Sequence, residues 1–187
     1  MRYLSIIATA LIIAGICLGA VPFNQEKSAH TSDDLRWYTF EEVIEIKQNN
    51  PDDDKAVFID VYTDWCGWCK RMDATTFKDQ EVQAILSEEY YPVKFDAEAK
   101  QDIIFQDKVF KFVAQGRRGY HELAAALLQG KMSYPSFVFL DADFNMIQPL
   151  PGYRQADEML PILHFIGKEV YEQQPWPEFK AEWDAGR

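Results

Sequence analysis

Two cysteines separated by two residues, placed just after a long apolar segment, constrain this chain more than any other feature. Residues 55–62 (KAVFIDVY) are almost continuously apolar and β-branched, which is typical of a central strand buried on both faces. Cys66 and Cys69 follow at the predicted junction between this strand and a helix. Side chains at i and i+3 lie next to each other on a helical turn, so the two sulfurs can bond without backbone rearrangement. The pattern predicts a redox-active dithiol.

The two thiols are expected to differ in reactivity. Cys66 would lie at the helix N-terminus, where free amide groups and the helix dipole favour an anion and lower the pKa of a thiol. Cys69 lies one turn further into the helix, so we expect it to be buried and less reactive. Cys66 is therefore predicted to attack a substrate disulfide, and Cys69 to resolve the mixed disulfide that results.

The remaining cysteine and the histidines do not suggest a different kind of site. Cys17 lies in an apolar N-terminal stretch, so the rest of the chain contains only the C-x-x-C pair. A framework of structural disulfides is excluded, because no further thiol remains for a cross-link. A zinc site is the main alternative, but zinc requires a full tetrahedral set of ligands and the histidines are isolated in sequence. We expect no metal and no cofactor.

The N-terminal residues predict export. Residues 1–20 carry one positive charge near the start, then an uncharged apolar stretch that is short for a membrane span, with small residues suited to cleavage after Ala20. We interpret them as a signal peptide, with a retained membrane tether through residues 4–21 as the alternative. Lipidation of Cys17 is disfavoured, because Ile16 stands where a lipoprotein signal has a small residue. The expected location is periplasmic or otherwise extracytoplasmic, and the protein would be anchored to the inner membrane if residues 4–21 are retained.

Length and charge indicate one acidic domain. Residues 24–34 are polar and aperiodic, which favours a linker at residues 21–34 before a domain at residues 35–187. The chain after Ala20 suffices for one domain with a full core but not comfortably for two. Acidic residues outnumber basic ones by 30 to 19, giving a formal net charge of −11. Basic residues do not cluster among aromatic ones, so nucleic acid is not an expected partner. The acidity favours solubility, and we expect a monomer.

The periodicity of the chain predicts alternating helices and strands around the cysteines. A capping-box pattern that begins at Thr39 opens a helix ending near Asn49. Residues 103–113 favour a β-hairpin, with a short helix as the alternative. His121, in a predicted Ala/Leu-rich helix, is expected to be structural. Further helices are predicted at 79–89, 119–130, 156–171 and 176–183, and further strands at 91–96, 136–140 and 146–150.

From residue 55 to residue 171 the order of elements resembles the thioredoxin family. The segment FIDVYTDWCGWCK is similar to the active-site segment of that family, with Asp60 six residues before the first cysteine, Trp65 immediately before it and Lys70 just after the second. The closer resemblance is to exported bacterial thioredoxin-like proteins, including the C-terminal domain of the transmembrane thiol transporter family. These share the D-W-C-x-x-C-K pattern and the T-F-x-x-x-x-V pattern of residues 76–82. The resemblance implies an α/β fold in which helices flank a central mixed sheet.

The resemblance also implies roles for residues distant from the cysteines. Pro135 matches a cis-proline that faces the cysteines and, with Tyr134, presents backbone to an extended substrate. Lys94 matches a strand lysine that pairs with the buried aspartate. Two features depart from the family pattern. Trp68 replaces the usual proline between the cysteines, and the long segment between Asp96 and Pro135 implies an insertion at about residues 100–130.

The side chains around the dithiol suggest a base and a binding platform. Asp60 lies inside a strand that must be buried, where an unpaired carboxylate has a raised pKa. We expect Asp60 to lie behind Cys69 and to accept its proton, with a structural role as the alternative. Trp65 and Trp68, on either side of a solvent-facing Cys66 and next to Gly67, are expected to form an apolar platform for substrates.

Together these features predict an exported thiol–disulfide oxidoreductase that reduces or isomerises protein disulfides through Cys66 and Cys69. Its partners would be protein disulfides and a membrane or periplasmic thiol electron donor. The reducing direction is expected because Gly67 and Trp68 place no cationic or hydrogen-bonding side chain near Cys66. A redox-silent peptide-binding or chaperone module is one alternative, against which the intact C-x-x-C and Asp60 argue. A dedicated factor for cytochrome or metal-site maturation, using the same chemistry on fewer clients, is the other.

Overall fold

The computed structural model describes residues 35–186, and their secondary structure alternates between helices and strands. Within this range the α-helices are α1 (Phe40–Asn49), α2 (Gly67–Ala74), α3 (Gln80–Glu89), α4 (Glu122–Leu127), α5 (Ala156–Gly167) and α6 (Trp176–Ala185). The strands are β1 (Ala56–Tyr62), β2 (Tyr90–Asp96), β3 (Ile103–Phe105), β4 (Lys108–Phe110), β5 (Phe112–Gln115), β6 (Arg118–His121), β7 (Ser136–Leu140) and β8 (Met146–Pro151). Two short 3-10 helices, Thr76–Lys78 and Val170–Glu172, follow α2 and α5.

The central sheet has four strands in the order β2-β1-β7-β8. Strands β1 and β2 are parallel, whereas β7 is antiparallel to both β1 and β8. Helices cover both faces, because α1 contributes to one apolar cluster and α2, α3 and α5 contribute to the other. This mixed sheet with flanking helices is the α/β architecture that the sequence predicts.

Strand β1 lies at the centre of the sheet and separates the two apolar clusters. Val57 and Ile59 belong to the cluster on the α1 side, and Phe58 belongs to the cluster on the α2 side. Side chains alternate along a strand, so Asp60 is directed to the same face as Phe58. Asp60 is 1% exposed, which places a carboxylate under the helix that carries the cysteines.

The predicted elements around the cysteines are confirmed. The capping box of α1 is present, with the Thr39 hydroxyl accepting from the amide of Glu42 and the Glu42 carboxylate accepting from the amide of Thr39. The Asp79 carboxylate caps α3 by accepting from the amides of Glu81 and Val82. These caps satisfy amides that have no partner inside the helix and so define where each helix begins.

The insertion between β2 and β7 folds differently from the prediction. Residues 103–110 form the expected hairpin β3–β4, but residues 112–121 form a second hairpin, β5–β6, around Gly116. The predicted helix at 119–130 is therefore wrong in its first residues, because Gly119 and Tyr120 pair with β5. The helix α4 begins only after His121, whose Nδ1 accepts from the amide of Leu123 at 3.2 Å. His121 is fully buried, as expected for a structural residue.

The C-terminal part contains a shorter helix than predicted. Helix α5 ends at Gly167 rather than near residue 171, because Glu169 adopts a left-handed backbone conformation with φ of 52° and a 3-10 turn follows. Helix α6 then packs on α5, as expected from its tryptophans. The Phe165 ring lies 5.2 Å from the Trp176 ring, and the His164 ring lies 4.9 Å from the Trp183 ring.

The predictions for the N-terminus concern residues that the structure does not describe. The signal peptide or tether at residues 1–20 and the linker at residues 21–34 lie outside the described range, as does Cys17. Among residues 35–186, none of the helices has the length and hydrophobicity needed to cross a membrane.

Candidate redox site

The two cysteines are joined as a disulfide at the N-terminus of α2. Their Cα atoms lie 5.3 Å apart. Cys66 is the N-cap residue, and its sulfur accepts a hydrogen bond from the amide of Cys69 at 3.0 Å. The amide of Cys66 in turn donates to the carbonyl of Thr63 at 3.0 Å, which ties the end of β1 to the start of the helix. A thiolate on Cys66 would therefore receive an amide hydrogen bond and the positive end of the helix dipole.

Both cysteines are buried in this disulfide form. Cys69 is 2% exposed, as expected, but Cys66 is only 4% exposed, so the expectation of a solvent-facing Cys66 is wrong for this form. The neighbouring tryptophans carry the exposed surface instead, with Trp65 at 50% and Trp68 at 56%. Gly67, between the cysteines, has open space around it, because a Cβ atom added there would meet nothing within 4 Å.

An ion pair between a buried carboxylate and a partly exposed ammonium lies beneath the helix. Asp60 and Lys94 occupy paired positions on β1 and β2, and the Lys94 ammonium donates to Asp60 Oδ2 at 2.6 Å. The same ammonium also contacts the carboxylate of Asp73. Asp73 lies four residues after Cys69 and therefore on the same face of α2. Lys94 thus links the carboxylate of the strand to the helix face that carries Cys69.

The environment of Asp60 shifts its pKa towards neutral pH. Burial raises the pKa of Asp60 from 3.8 to about 6; the charge and hydrogen bond of Lys94 oppose this shift, and the charge of Asp73 adds to it. For Lys94, burial lowers the pKa, but the nearby Asp60 and Asp73 outweigh burial and the net pKa is raised. The pair is thus most favourable when both groups are charged, although burial of Asp60 still resists ionisation. Asp60 Oδ1 is buried without a hydrogen-bond partner among the described residues, which leaves an acceptor for a proton.

The predicted substrate-binding residues meet on one side of the dithiol. The peptide bond between Tyr134 and Pro135 is cis, and Pro135 immediately precedes β7. The Tyr134 ring lies edge-on to the Trp65 ring, with centroids 5.8 Å apart. The residue before Cys66 therefore contacts the residue before the cis-proline, which brings these two predicted regions together.

Both exposed tryptophans are held by side chains that sequence reasoning missed. The Trp65 indole donates to Glu98 at 3.0 Å, and the guanidinium of Arg118 lies 4.3 Å from its ring centroid. On the other side, the Trp68 ring lies 5.1 Å from the Tyr153 ring, with Arg71 next to both. The dithiol is thus flanked by two aromatic rings, each with an arginine beside it.

Different signals would have been needed to find these residues. The spacing of four between Cys69 and Asp73 is visible in the sequence and could have indicated a charged neighbour on the same helix face. Glu98 and Arg118 carry no such signal, because they reach Trp65 only through the fold of the insertion. Among the described residues, no group of three or more His, Cys, Asp or Glu side chains is arranged so that it could hold a metal ion.

Comparisons with known proteins identify the family. A family model named Thioredox_DsbH, described as a protein of unknown function (DUF255), matches residues 25–148. The chain belongs to this family. The Thioredox_DsbH match includes β1, the dithiol and Pro135, and it ends within β8.

Individual curated proteins match this chain at low identity and over only part of their length. The uncharacterized protein B0495.5 of Caenorhabditis elegans is 27% identical over 128 residues, which cover 66% of this chain and 15% of that protein. The thiol:disulfide interchange protein DsbD of Actinobacillus pleuropneumoniae serotype 5b (strain L20) is 35% identical over 66 residues, which cover 35% of this chain and 11% of that protein. The chain therefore spans only a small part of the length of these curated relatives.

A solved structure confirms the predicted fold. A thioredoxin-fold protein from Helicobacter pylori superposes with a TM-score of 0.53 at 20% identity, over 71% of this chain and 81% of that chain. The thioredoxin-like fold and the predicted family resemblance are thus confirmed. Between β2 and β7, where the sequence predicts an insertion, the chain forms two hairpins and α4.

Proposed function

We propose that this protein is a thiol–disulfide oxidoreductase that reduces protein disulfides through Cys66 and Cys69. The observation that carries the proposal is the disulfide between Cys66 and Cys69 at the N-terminus of α2, where Cys66 is the N-cap and accepts the Cys69 amide. The buried carboxylate of Asp60 on the helix-facing side of β1 supports it further. A redox-silent binding module would need neither of these features.

The reaction begins with the reduced dithiol. The Cys66 thiolate attacks one sulfur of a substrate disulfide, a Cys66–substrate disulfide forms, and the other substrate sulfur leaves as a thiolate. Cys69 gives its proton to Asp60, directly or through water, and then attacks the Cys66 sulfur. The second substrate sulfur leaves, so the substrate has gained two electrons and the protein disulfide has formed. An external dithiol donor must reduce Cys66–Cys69 before the next turnover.

The reducing direction is supported by the side chains near Cys66. Among the described residues, the hydrogen bond to the Cys66 sulfur comes from the Cys69 amide, and Gly67 and Trp68 add no cationic group between the cysteines. A strong oxidant needs heavy stabilisation of its reduced thiolate. The half-exposed rings of Trp65 and Trp68 provide an apolar platform for a polypeptide client on either side of the dithiol.

The proposed location is outside the cytoplasm, with residues 1–20 acting as a signal peptide or as a tether. A dithiol in an oxidising compartment becomes a disulfide unless a partner keeps it reduced. The proposed electron donor is therefore a membrane or periplasmic thiol protein.

A test of the function uses the purified protein with a reductant and a protein disulfide such as insulin. Wild-type protein is expected to accelerate insulin reduction, and Cys66→Ser is expected to abolish the acceleration, because the attacking sulfur is missing. Cys69→Ser is expected to accumulate a mixed disulfide that mass spectrometry detects. Asp53→Asn serves as the control and should retain full activity, since Asp53 pairs with Lys47 and is not part of the dithiol region. An inert wild type with accessible thiols would favour the redox-silent binding module.

A further inference from the structure

A cavity of about 680 Å³ lies at the sheet edge that carries the dithiol. Tyr62 and Asp96, which pair at the carboxyl ends of β1 and β2, form part of its lining. The cavity lies between these strand ends and the β5–β6 hairpin, which contributes Arg117 and Arg118. Helix α2 leaves the same end of β1, so the cavity and Cys66 share one edge of the sheet. Its volume falls within the range of about 300–1,000 Å³ that is usual for sites of small ligands.

One side of the cavity carries basic groups with free donors. Lys100, Arg117 and Arg118 line it and are exposed, and none of them takes part in an ion pair among the described residues. This is notable in a chain with 30 acidic and 19 basic residues, where partners for a cation are plentiful. Their N–H groups are therefore available to a carboxylate, which guanidinium groups bind through two parallel hydrogen bonds.

Arg118 links this basic side to the dithiol. Its guanidinium lies 4.3 Å from the centroid of the Trp65 ring, and Trp65 directly precedes Cys66. The Trp65 indole is in turn held by its hydrogen bond to Glu98 and by contact with the Tyr134 ring. A guanidinium stacked on a ring keeps its in-plane donors free. A carboxylate bound to Arg118 would therefore lie beside the residue that precedes the attacking sulfur.

The strand side of the cavity carries the opposite charge. Asp64, Asp96 and Glu98 line it, together with Lys94, whose ammonium is already paired with Asp60 and Asp73. Asp96 Oδ1 accepts a hydrogen bond from the amide of Glu98 at 2.9 Å, and Asp64 lines the same cavity, so the three acidic residues are neighbours that repel one another. Burial raises the pKa of Asp96, the hydrogen bond from the Glu98 amide opposes this shift, and the charges of Asp64 and Glu98 add to it. A cation placed among them would relieve that repulsion. The cavity thus presents donors for an anion on its hairpin side and carboxylates for a cation on its strand side.

We propose that this cavity binds the charged end of an amino-acid-derived disulfide, of which cystine is the simplest, and presents its sulfur to Cys66. The carboxylate would bind the side formed by Lys100, Arg117 and Arg118, and the ammonium would bind the carboxylates of the strand side. This inference rests on the proposed function, because it names a substrate class for the same dithiol. Reduction of one cystine by the Cys66/Cys69 dithiol gives two cysteine thiols and one protein disulfide, so atoms and electrons balance.

The test measures single turnover of the pre-reduced protein, freed of reductant, with four disulfides that differ in charge. Cystine carries both charges, cystamine is cationic, dithiodipropionate is anionic, and bis(2-hydroxyethyl) disulfide is neutral. Each rate constant is divided by the rate constant of the same disulfide with dithiothreitol, so intrinsic differences in reactivity cancel. Cystine is expected to exceed the neutral disulfide by about fivefold or more at low salt, and added salt should reduce this ratio.

Two variants assign the preference to the cavity. Arg117→Gln and Arg118→Gln are each expected to lower the ratio of cystine to neutral disulfide about threefold, since each removes one carboxylate donor. Because both rate constants of the ratio are measured on the same variant, a change in the reactivity of Cys66 affects both and cancels. Arg36→Gln is the matched control, because Arg36 stacks on the Tyr38 ring at 4.4 Å but does not line the cavity. It should leave the ratio unchanged.

The outcomes separate this inference from the proposed function. If no disulfide is reduced, including the neutral one and insulin, the proposed function itself fails. If the neutral disulfide reacts and cystine has no advantage, the function holds and the cavity inference is overturned. It is also overturned if Arg118→Gln slows all four disulfides equally, which would assign Arg118 to the packing of Trp65. Variants that change only insulin reduction would assign the cavity to protein clients and would contradict binding of a small disulfide.

Discussion

At the scale of single residues, Asp60 carries the most specific chemical prediction. Asp60→Asn should slow the decay of the Cys66–substrate mixed disulfide by about tenfold near neutral pH, because Cys69 loses its base. The pKa of Asp60 is raised by burial to about 6, so the wild-type residue is mostly ionised at pH 7 and can accept a proton. The difference between the two proteins should shrink below about pH 6, where Asp60 is itself protonated. Single-turnover kinetics of mixed-disulfide decay measure both effects.

A second Asp→Asn variant separates the loss of the base for Cys69 from the mere loss of one negative charge. Asp53 forms an ion pair with Lys47 at 3.0 Å and is not part of the dithiol region, so Asp53→Asn should leave the decay rate unchanged. The initial attack by Cys66 should respond less to Asp60→Asn than resolution does. Equal decay rates in wild type and Asp60→Asn across neutral pH would mean that Asp60 is structural and that Cys69 loses its proton to water.

Asp60 should also lower the free energy of unfolding at pH values above its pKa. Because the pKa of Asp60 in the folded protein is about 6, above its ordinary 3.8, the folded state holds more protons between these values than the unfolded state does. The wild-type free energy of unfolding therefore falls as the pH rises from about 4 to 6, and Asp60→Asn lacks this loss. Relative to wild type, the free energy of unfolding of the variant should rise by about 2 kcal/mol between pH 4 and 7. Urea unfolding of the oxidised proteins across this range measures the gain, and parallel pH profiles would contradict the burial argument.

At the scale of elements, the β5–β6 hairpin depends on Gly119. A Cβ at this position would overlap the ring of Phe112 and the backbone carbonyl of Val113, and a backbone atom cannot move aside cheaply. Gly119→Ala should cost about 1–3 kcal/mol of stability and displace the hairpin that carries Arg118. Thermal unfolding measures the loss of stability. The fluorescence of Trp65, measured with the other tryptophans replaced, reports the displacement of the hairpin. Gly186→Ala, whose Cβ would meet nothing closer than 3.5 Å, is the control and should have little effect.

The elements also reveal which parts of the fold the sequence can predict. β1, α2 and α3 follow from patterns within their own segments, such as an unbroken β-branched run or a cap at Asp79. Residues 119–121 were predicted as helix from the Ala- and Leu-rich stretch that follows them, but they form a strand because they pair with residues 112–114. The site divides in the same way. Cys66, Cys69 and Asp60 lie in one short segment, whereas Glu98 and Arg118 reach Trp65 only through pairing within the insertion.

At the scale of the whole molecule, the proposed function depends on the compartment. Each turnover leaves the Cys66–Cys69 pair oxidised, and outside the cytoplasm no thiol pool re-reduces it, so a dedicated donor is needed there. The proposed signal at residues 1–20 is what would place the chain in that compartment. A fusion of alkaline phosphatase after Phe23 should be active, because this reporter needs disulfides that form outside the cytoplasm. Deletion of residues 4–17 should abolish reporter activity, since it removes the apolar stretch and leaves the rest of the fusion unchanged.

The N-terminus of the exported protein decides between cleavage and tethering. Cleavage after Ala20 predicts a soluble protein that begins at Val21, and Edman sequencing or mass spectrometry of the intact chain reads this directly. A retained Met1, with the protein in the membrane fraction, would identify residues 4–21 as a tether and would confine the dithiol to clients and donors that reach the membrane surface. An inactive reporter would contradict export in either form. The dithiol would then lie in a reducing compartment, where thiol pools keep Cys66 and Cys69 reduced without a dedicated donor.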